Sequence, residues 1–100
     1  MTQNILISAL NYYITENKNI EDDIILDIIN ILYKIRTEIN SEILSMDDFT
    51  TNDLHVIMST LNFYVIKNKT SMSLNNERKL LYNIKVIYDN RILNEQNYNM

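Results

Sequence analysis

The chain has 100 residues and a formal net charge of −4, and it contains no Gly, Pro, Cys or Trp. This length fits one domain over residues 1–100 and argues against an enzyme built from a nucleotide-binding half and a substrate half. The lack of cysteine excludes disulfides, thiol nucleophiles and thiolate metal sites. Sheets with tight hairpins are difficult to build without Gly and Pro, so the composition favours helices.

The composition also bears on the origin of the chain. Ile (17 residues) and Asn (16 residues) dominate, and Ala occurs once. This bias follows codons rich in A and T, which predicts a low-GC genome such as that of a firmicute, a phage or a large DNA virus. The amino terminus has no basic segment, and charged residues interrupt the apolar stretch over residues 24–35. We therefore expect no signal peptide and no membrane span, and a location in the cytoplasm of a bacterial or host cell.

Apolar residues recur with a period near 3.6 over residues 3–17 and 20–40, which predicts two helices. Thr2 is the expected cap of the first helix. Asn19 is the expected cap of the second, because Asp22 follows it three residues later. The residues expected on the inward faces of these two helices are Leu6, Leu10, Tyr13, Ile14, Asn17, Ile24, Ile28, Ile31, Leu32, Ile35 and Ile39.

The same period predicts two further helices, over residues 51–67 and 74–94. Thr50 or Thr51 is the expected cap of the third helix. Polar residues follow the fourth helix and predict a frayed tail over 95–100. The inward-facing residues are expected to be Leu54, Ile57, Met58, Leu61, Tyr64, Val65, Leu80, Leu81, Ile84, Ile87, Tyr88 and Ile92.

Four helices joined by short connections predict an all-α fold, an antiparallel four-helix bundle. An internal repeat adds to this prediction, because the sequence of residues 7–14 recurs in similar form at 58–65. The first and third helices therefore look like corresponding parts of two helical hairpins. The second helices of the two hairpins align less clearly, so duplication stays a hypothesis.

No group of residues has the pattern of a catalytic or metal site. His55 could act as a general base oriented by Asp53, but a surface position in the first turn of a helix is the simpler interpretation. Acidic residues at 21–23 complement a helix dipole and lack the pattern of a calcium loop. The nine basic residues are scattered, which argues against nucleic-acid binding. We expect no catalytic residue, no cofactor and no metal.

Apolar residues outside the core-facing stripes are the candidate partner-binding residues. In the last helix, Tyr82, Val86 and Leu93 lie opposite the inward face. They form either a docking surface or ordinary surface. A wide apolar face, as bundle helices need, accounts for Tyr12 and Phe63. The complete set of candidates is Tyr82, Val86, Leu93, Tyr12, Phe63 and Tyr33.

These features together predict a small non-catalytic protein that acts by binding another protein. The low-GC bias and small size suit a phage or viral accessory protein that binds and inhibits a host component. One alternative is a bacteriocin immunity protein, since those acting against pediocin-like peptides are four-helix bundles of about this length; the similarity is one of architecture alone. A homodimer or a larger structural homo-oligomer is the other alternative.

Overall fold

A computed structural model describes residues 2–37, 46–69 and 73–98. Within these ranges the chain forms four α-helices and one short 3-10 helix, Met46–Asp48, and contains no strand. The predicted all-α bundle is confirmed. The four helices are α1 (Thr2–Glu16), α2 (Asp22–Thr37), α3 (Thr51–Asn68) and α4 (Asn75–Tyr98).

Helix α3 is central, because it packs against α1, α2 and α4. Its neighbour α4 runs antiparallel to it. Near the start of α3 the Thr51 hydroxyl donates to Glu95 Oε1 at 2.7 Å, and one turn later the rings of His55 and Tyr88 lie 5.9 Å apart. Residues later in α3 thus lie beside residues earlier in α4, as in any antiparallel pair of helices.

The core forms where the inward faces of the helices meet. Leu10 and Leu61, which occupy equivalent places in the internal repeat, are both fully buried. Val56 is also buried, although the periodicity places it away from the main stripe of α3. The central position of α3 explains this, since a helix with three neighbours buries more than one stripe. The fully or nearly fully buried apolar side chains of this cluster are Leu6, Ala9, Leu10, Ile28, Ile31, Leu32, Ile35, Phe49, Leu54, Val56, Ile57, Leu61 and Ile84.

The start of α3 has the predicted cap. Thr50 Oγ1 accepts the amide of Asp53 at 3.0 Å, and Asp53 Oδ2 accepts the amide of Thr50 at 3.1 Å. This reciprocal pair is a capping box, in which two amides that lack helical partners are both bonded. The prediction of Thr50 as a cap is therefore confirmed.

The start of α2 differs from the prediction, since Asn19 does not cap it. The amide of Ile25 donates to the carbonyl of Glu21, so Glu21 holds the cap position and α2 begins at Asp22. The reason is the preceding turn. Asn17 directly follows α1, and both its amide and its side chain donate to the carbonyl of Tyr13. Residues 17–21 then form the connection to α2.

Two other predicted helix ends also differ from those in the structure. Helix α1 begins at Thr2 itself, so Thr2 is its first residue and not a cap before it. The predicted frayed tail is wrong for residues 95–98, because α4 continues through Tyr98. No Gly or Pro interrupts the helix there, and the Thr51 hydroxyl binds Glu95 in this last part. Residues 38–40 of the predicted second helix, and 99–100, lie outside the described residues.

Arg91 of α4 holds the segment before α3. Its Nη2 atom donates to the carbonyl of Met46 at 2.9 Å, and its Nη1 atom donates to the carbonyl of Phe49. Asp47 Oδ1 lies 3.8 Å from the same guanidinium. One side chain thus provides partners for two carbonyls of a short turn and fixes that turn against α4.

Candidate functional site

The structure places the six candidate partner-binding residues in three separate locations. Tyr82, Val86 and Leu93 lie together on the outer face of α4. Tyr33 lies on the outer face of α2, a helix that carries none of the other five candidates. The remaining two, Tyr12 and Phe63, pack against each other between α1 and α3. The six residues therefore do not form one surface.

The α4 row, which we define as Tyr82, Val86 and Leu93, is exposed as predicted. The side chains are 68%, 41% and 55% exposed, respectively. Ile84, on the opposite side of α4, is fully buried. The α4 row therefore lies on the side of the helix that faces away from α3.

Tyr12 and Phe63 belong to an aromatic cluster inside the α1–α3 contact. The ring centroids of Tyr12 and Tyr64 are 5.2 Å apart with an interplanar angle of 90°. Those of Tyr13 and Phe63 are also 5.2 Å apart, with an angle of 81°. Edge-to-face pairs of this kind stabilise packing. Both candidates are half-buried, which places them in the wide apolar face of the bundle.

A second exposed apolar row lies on α2. It consists of Leu26, Ile29 and Tyr33, and we call it the α2 row. The sequence reasoning selected Tyr33 and missed Leu26. The spacing i, i+3, i+7 of these three residues places them on one face and could have identified the row before the structure.

His55 has the surface position that the sequence favours, and none of the described hydrogen bonds joins it to Asp53. Asp53 Oδ2 accepts hydrogen bonds from the Thr50 amide and from Lys34 Nζ. His55 is exposed, and its ring lies beside that of Tyr88. Asp53 therefore acts as a cap and as a link from α3 to α2.

A cleft of 220 Å³ lies where α1, α2 and α3 meet, and Tyr13, Asp27, Asn52 and His55 contribute to its wall. Two of its polar side chains are bonded to each other, since Asn52 Nδ2 donates to Asp27 Oδ2 at 3.4 Å. This bond joins α2 to α3. Among residues 2–37, 46–69 and 73–98, no group of three or more acidic, His or Cys side chains is placed to hold a metal ion.

Comparison with protein-family models, with curated proteins and with solved structures gives no significant match. None of the described helices is long and apolar enough to cross a membrane. The candidate functional sites are therefore the two exposed apolar rows, one on α4 and one on α2.

Proposed function

We propose that this is a non-catalytic binding protein that docks on another protein through the α4 row. The observation that carries the proposal is the exposure of Tyr82, Val86 and Leu93 on the side of α4 opposite the buried Ile84. Residues spaced i, i+4 and i+11 form one row about 16 Å long on a helix. Burying such a row in a partner removes apolar area from water and so favours association.

The charges beside the α4 row indicate the chemistry of the partner. At about 100° per residue, Arg78 and Lys85 flank Tyr82 on one side and Lys79 flanks it on the other, while Asp89 lies on the same face between Val86 and Leu93. All four charged side chains are exposed. A helix of this kind fits an apolar groove that carries carboxylates at the end that receives Tyr82. The proposed partner is therefore a protein with a groove for one helix whose rim is acidic at that end.

Composition supports a proposal for the source of the partner. The excess of Ile and Asn and the small size suit a phage or viral accessory protein of a low-GC genome. We propose that it binds and inhibits a component of the host cell, acting in the cytoplasm. Inhibition requires only that the α4 row occupy a surface that the host component needs for its own contacts.

The test compares Val86→Glu with Asn83→Glu, which places the same charge on an exposed position of α4 outside the row. Each variant and the wild type is used to capture proteins from an extract of the host cell, followed by mass spectrometry. We expect a partner to be recovered with the wild type and with Asn83→Glu, and to be lost with Val86→Glu, because burying an unpaired carboxylate in an interface is costly.

Melting temperature is measured on the same three proteins. A carboxylate on a solvated helix face changes stability by no more than about 0.5 kcal/mol, so we expect nearly equal melting temperatures. Two results contradict the proposal. Unfolding of Val86→Glu alone places Val86 in the core, and equal recovery of all proteins by Val86→Glu and the wild type leaves the α4 row as ordinary surface.

A further inference from the structure

Helix α2 is apolar on two opposite faces. Ile28, Ile31 and Ile35 are fully buried on the inward face. On the other side lies the α2 row, in which Leu26, Ile29 and Tyr33 are 59%, 51% and 70% exposed. Nine of the 16 residues of α2 are apolar. A helix with apolar residues all round is normally buried on all sides, which the described residues of a single copy do not achieve.

Opposite charges lie at the two ends of the α2 row. At about 100° per residue, Asp22 and Arg36 fall on the same face of the helix as Ile29, about two turns to either side of it. Both charged side chains are exposed. Neither forms an ion pair with another residue of the described ranges. The row is therefore acidic at its amino-terminal end and basic at its carboxy-terminal end.

We propose that a second copy of this chain covers the α2 row, with the two α2 helices packed antiparallel around a two-fold axis near Ile29. A two-fold axis brings the same patch of both copies together, so the patch must complement itself. The α2 row does so in the antiparallel orientation. Leu26 then faces the partner's Tyr33, and Asp22 faces the partner's Arg36.

The charges select this orientation over the parallel one. In a parallel pair, Asp22 faces the partner's Asp22 and Arg36 faces the partner's Arg36, so both ends of the contact repel. In the antiparallel pair, both ends attract, because the symmetry repeats the attraction between Asp22 and Arg36 once at each end. Ile29, midway between the two charges, lies at the centre of the apolar contact in either copy.

The size of the contact sets the expected strength of the dimer. A helix of 16 residues is about 24 Å long. One pair of such helices buries less than the roughly 800 Å² per partner of a standard stable interface. We therefore expect a dissociation constant in the micromolar range, on the order of 1–100 μM. The α4 row takes no part in this contact, so the dimer does not depend on the function proposed above.

The first test is the sedimentation of the wild type, Ile29→Glu and Ile66→Glu from about 1 to 500 μM. Ile66 is a matched control, because it is 54% exposed and lies on α3. We expect the mass of the wild type and of Ile66→Glu to rise from one chain toward two chains, and Ile29→Glu to stay a single chain. A wild type that remains monomeric throughout, or an Ile29→Glu variant that associates as the wild type does, overturns the proposal.

The second test uses charge reversal and does not depend on Ile29→Glu folding. Asp22→Arg alone and Arg36→Asp alone should each weaken the dimer about tenfold, since each change turns two symmetric attractions into repulsions. The double variant should regain the affinity of the wild type, although it carries both changes in α2. In a parallel pair, like charges face each other in all four proteins. Equal affinities across the four proteins therefore contradict the antiparallel dimer.

Discussion

Lys34 Nζ lies 2.7 Å from Asp53 Oδ2, the same oxygen atom that accepts the amide of Thr50. One carboxylate thus completes the capping box of α3 and joins α3 to α2. The side chain of Asp53 is mostly buried, whereas that of Lys34 is partly exposed. Loss of the Asp53 carboxylate therefore removes both bonds, whereas loss of the Lys34 ammonium removes the ion pair and leaves the capping box in place.

This arrangement predicts unequal effects of removing the two partners. Asp53→Ala leaves both the Thr50 amide and the Lys34 ammonium without this acceptor, and we expect a loss of about 1–2 kcal/mol. Lys34→Met keeps the apolar stem and removes two interactions of a partly exposed ammonium, the ion pair with Asp53 and the contact with the Phe49 ring 5.8 Å away, so we expect a loss of about 1 kcal/mol or less. Urea unfolding of both variants measures the difference. A larger loss for Lys34→Met than for Asp53→Ala contradicts this account.

Arg91→Ala should destabilise the turn before α3. Its removal takes away the guanidinium bond to the Phe49 carbonyl and one of the two donors to the Met46 carbonyl, which keeps the amide of Phe49. Loss of a hydrogen bond at a partly buried polar group costs about 1–3 kcal/mol. Arg78→Ala is the matched control, since Arg78 is exposed on the same helix and should change stability by no more than about 0.5 kcal/mol. Thermal unfolding compares the two, and similar melting temperatures would show that Arg91 does not hold the turn.

The helices were predictable because their apolar residues repeat at one period and no Gly or Pro breaks them. The capping box at Thr50 was also readable, since Thr followed three residues later by Asp is a local pattern. The start of α2 could not be predicted in the same way, because Asn19 followed by Asp22 presents a similar local pattern. Only the bonds of Asn17 to the carbonyl of Tyr13 show where the turn between α1 and α2 lies. Local chemistry allowed two starting points, and the geometry of the hairpin selected one.

The exposed rows were partly predictable for a related reason. Angular position on α4 separates Val86 from Ile84 without knowledge of the neighbours, because α4 packs chiefly on one helix, α3. Helix α3 has three neighbours, so angular position alone does not predict that Val56 is buried. The partial burial of Phe63 could not be predicted without the position of α1, because Tyr12 and Tyr13 of α1 pack against its ring. Periodicity gives the direction of a side chain but not the number of helices around it.

Leu10→Ala and Leu61→Ala should each destabilise the fold strongly. Both side chains are fully buried, so each truncation removes apolar contacts and leaves a cavity, at a cost of about 2–5 kcal/mol. Leu93→Ala is the matched control on the exposed α4 row, where the same truncation should cost far less. Chemical unfolding of the three variants measures this. Near-wild-type stability of Leu10→Ala and Leu61→Ala would mean that the inward faces are assigned wrongly.

The aromatic cluster relates the two halves of the internal repeat. A shift of 51 residues converts Tyr12 into Phe63 and Tyr13 into Tyr64. The contact of Tyr12 with Tyr64 therefore corresponds to the contact of Phe63 with Tyr13, and the two have the same centroid separation. Such reciprocal contacts are those of two equivalent elements around a local two-fold axis. At the equivalent helix ends, Asn17 bonds the carbonyl of Tyr13 and Asn68 bonds that of Tyr64.

This reciprocity predicts equal coupling energies in the two edge-to-face pairs. Double-mutant cycles with Leu in place of each ring measure the coupling of Tyr12 with Tyr64 and of Tyr13 with Phe63, from the free energies of unfolding. We expect about 0.5–1.5 kcal/mol for each pair, because the geometries are nearly the same. If one pair couples at this level and the other does not couple at all, α1 and α3 do not pack as equivalent halves, and the repeat in the sequence has no counterpart in the energetics of the bundle.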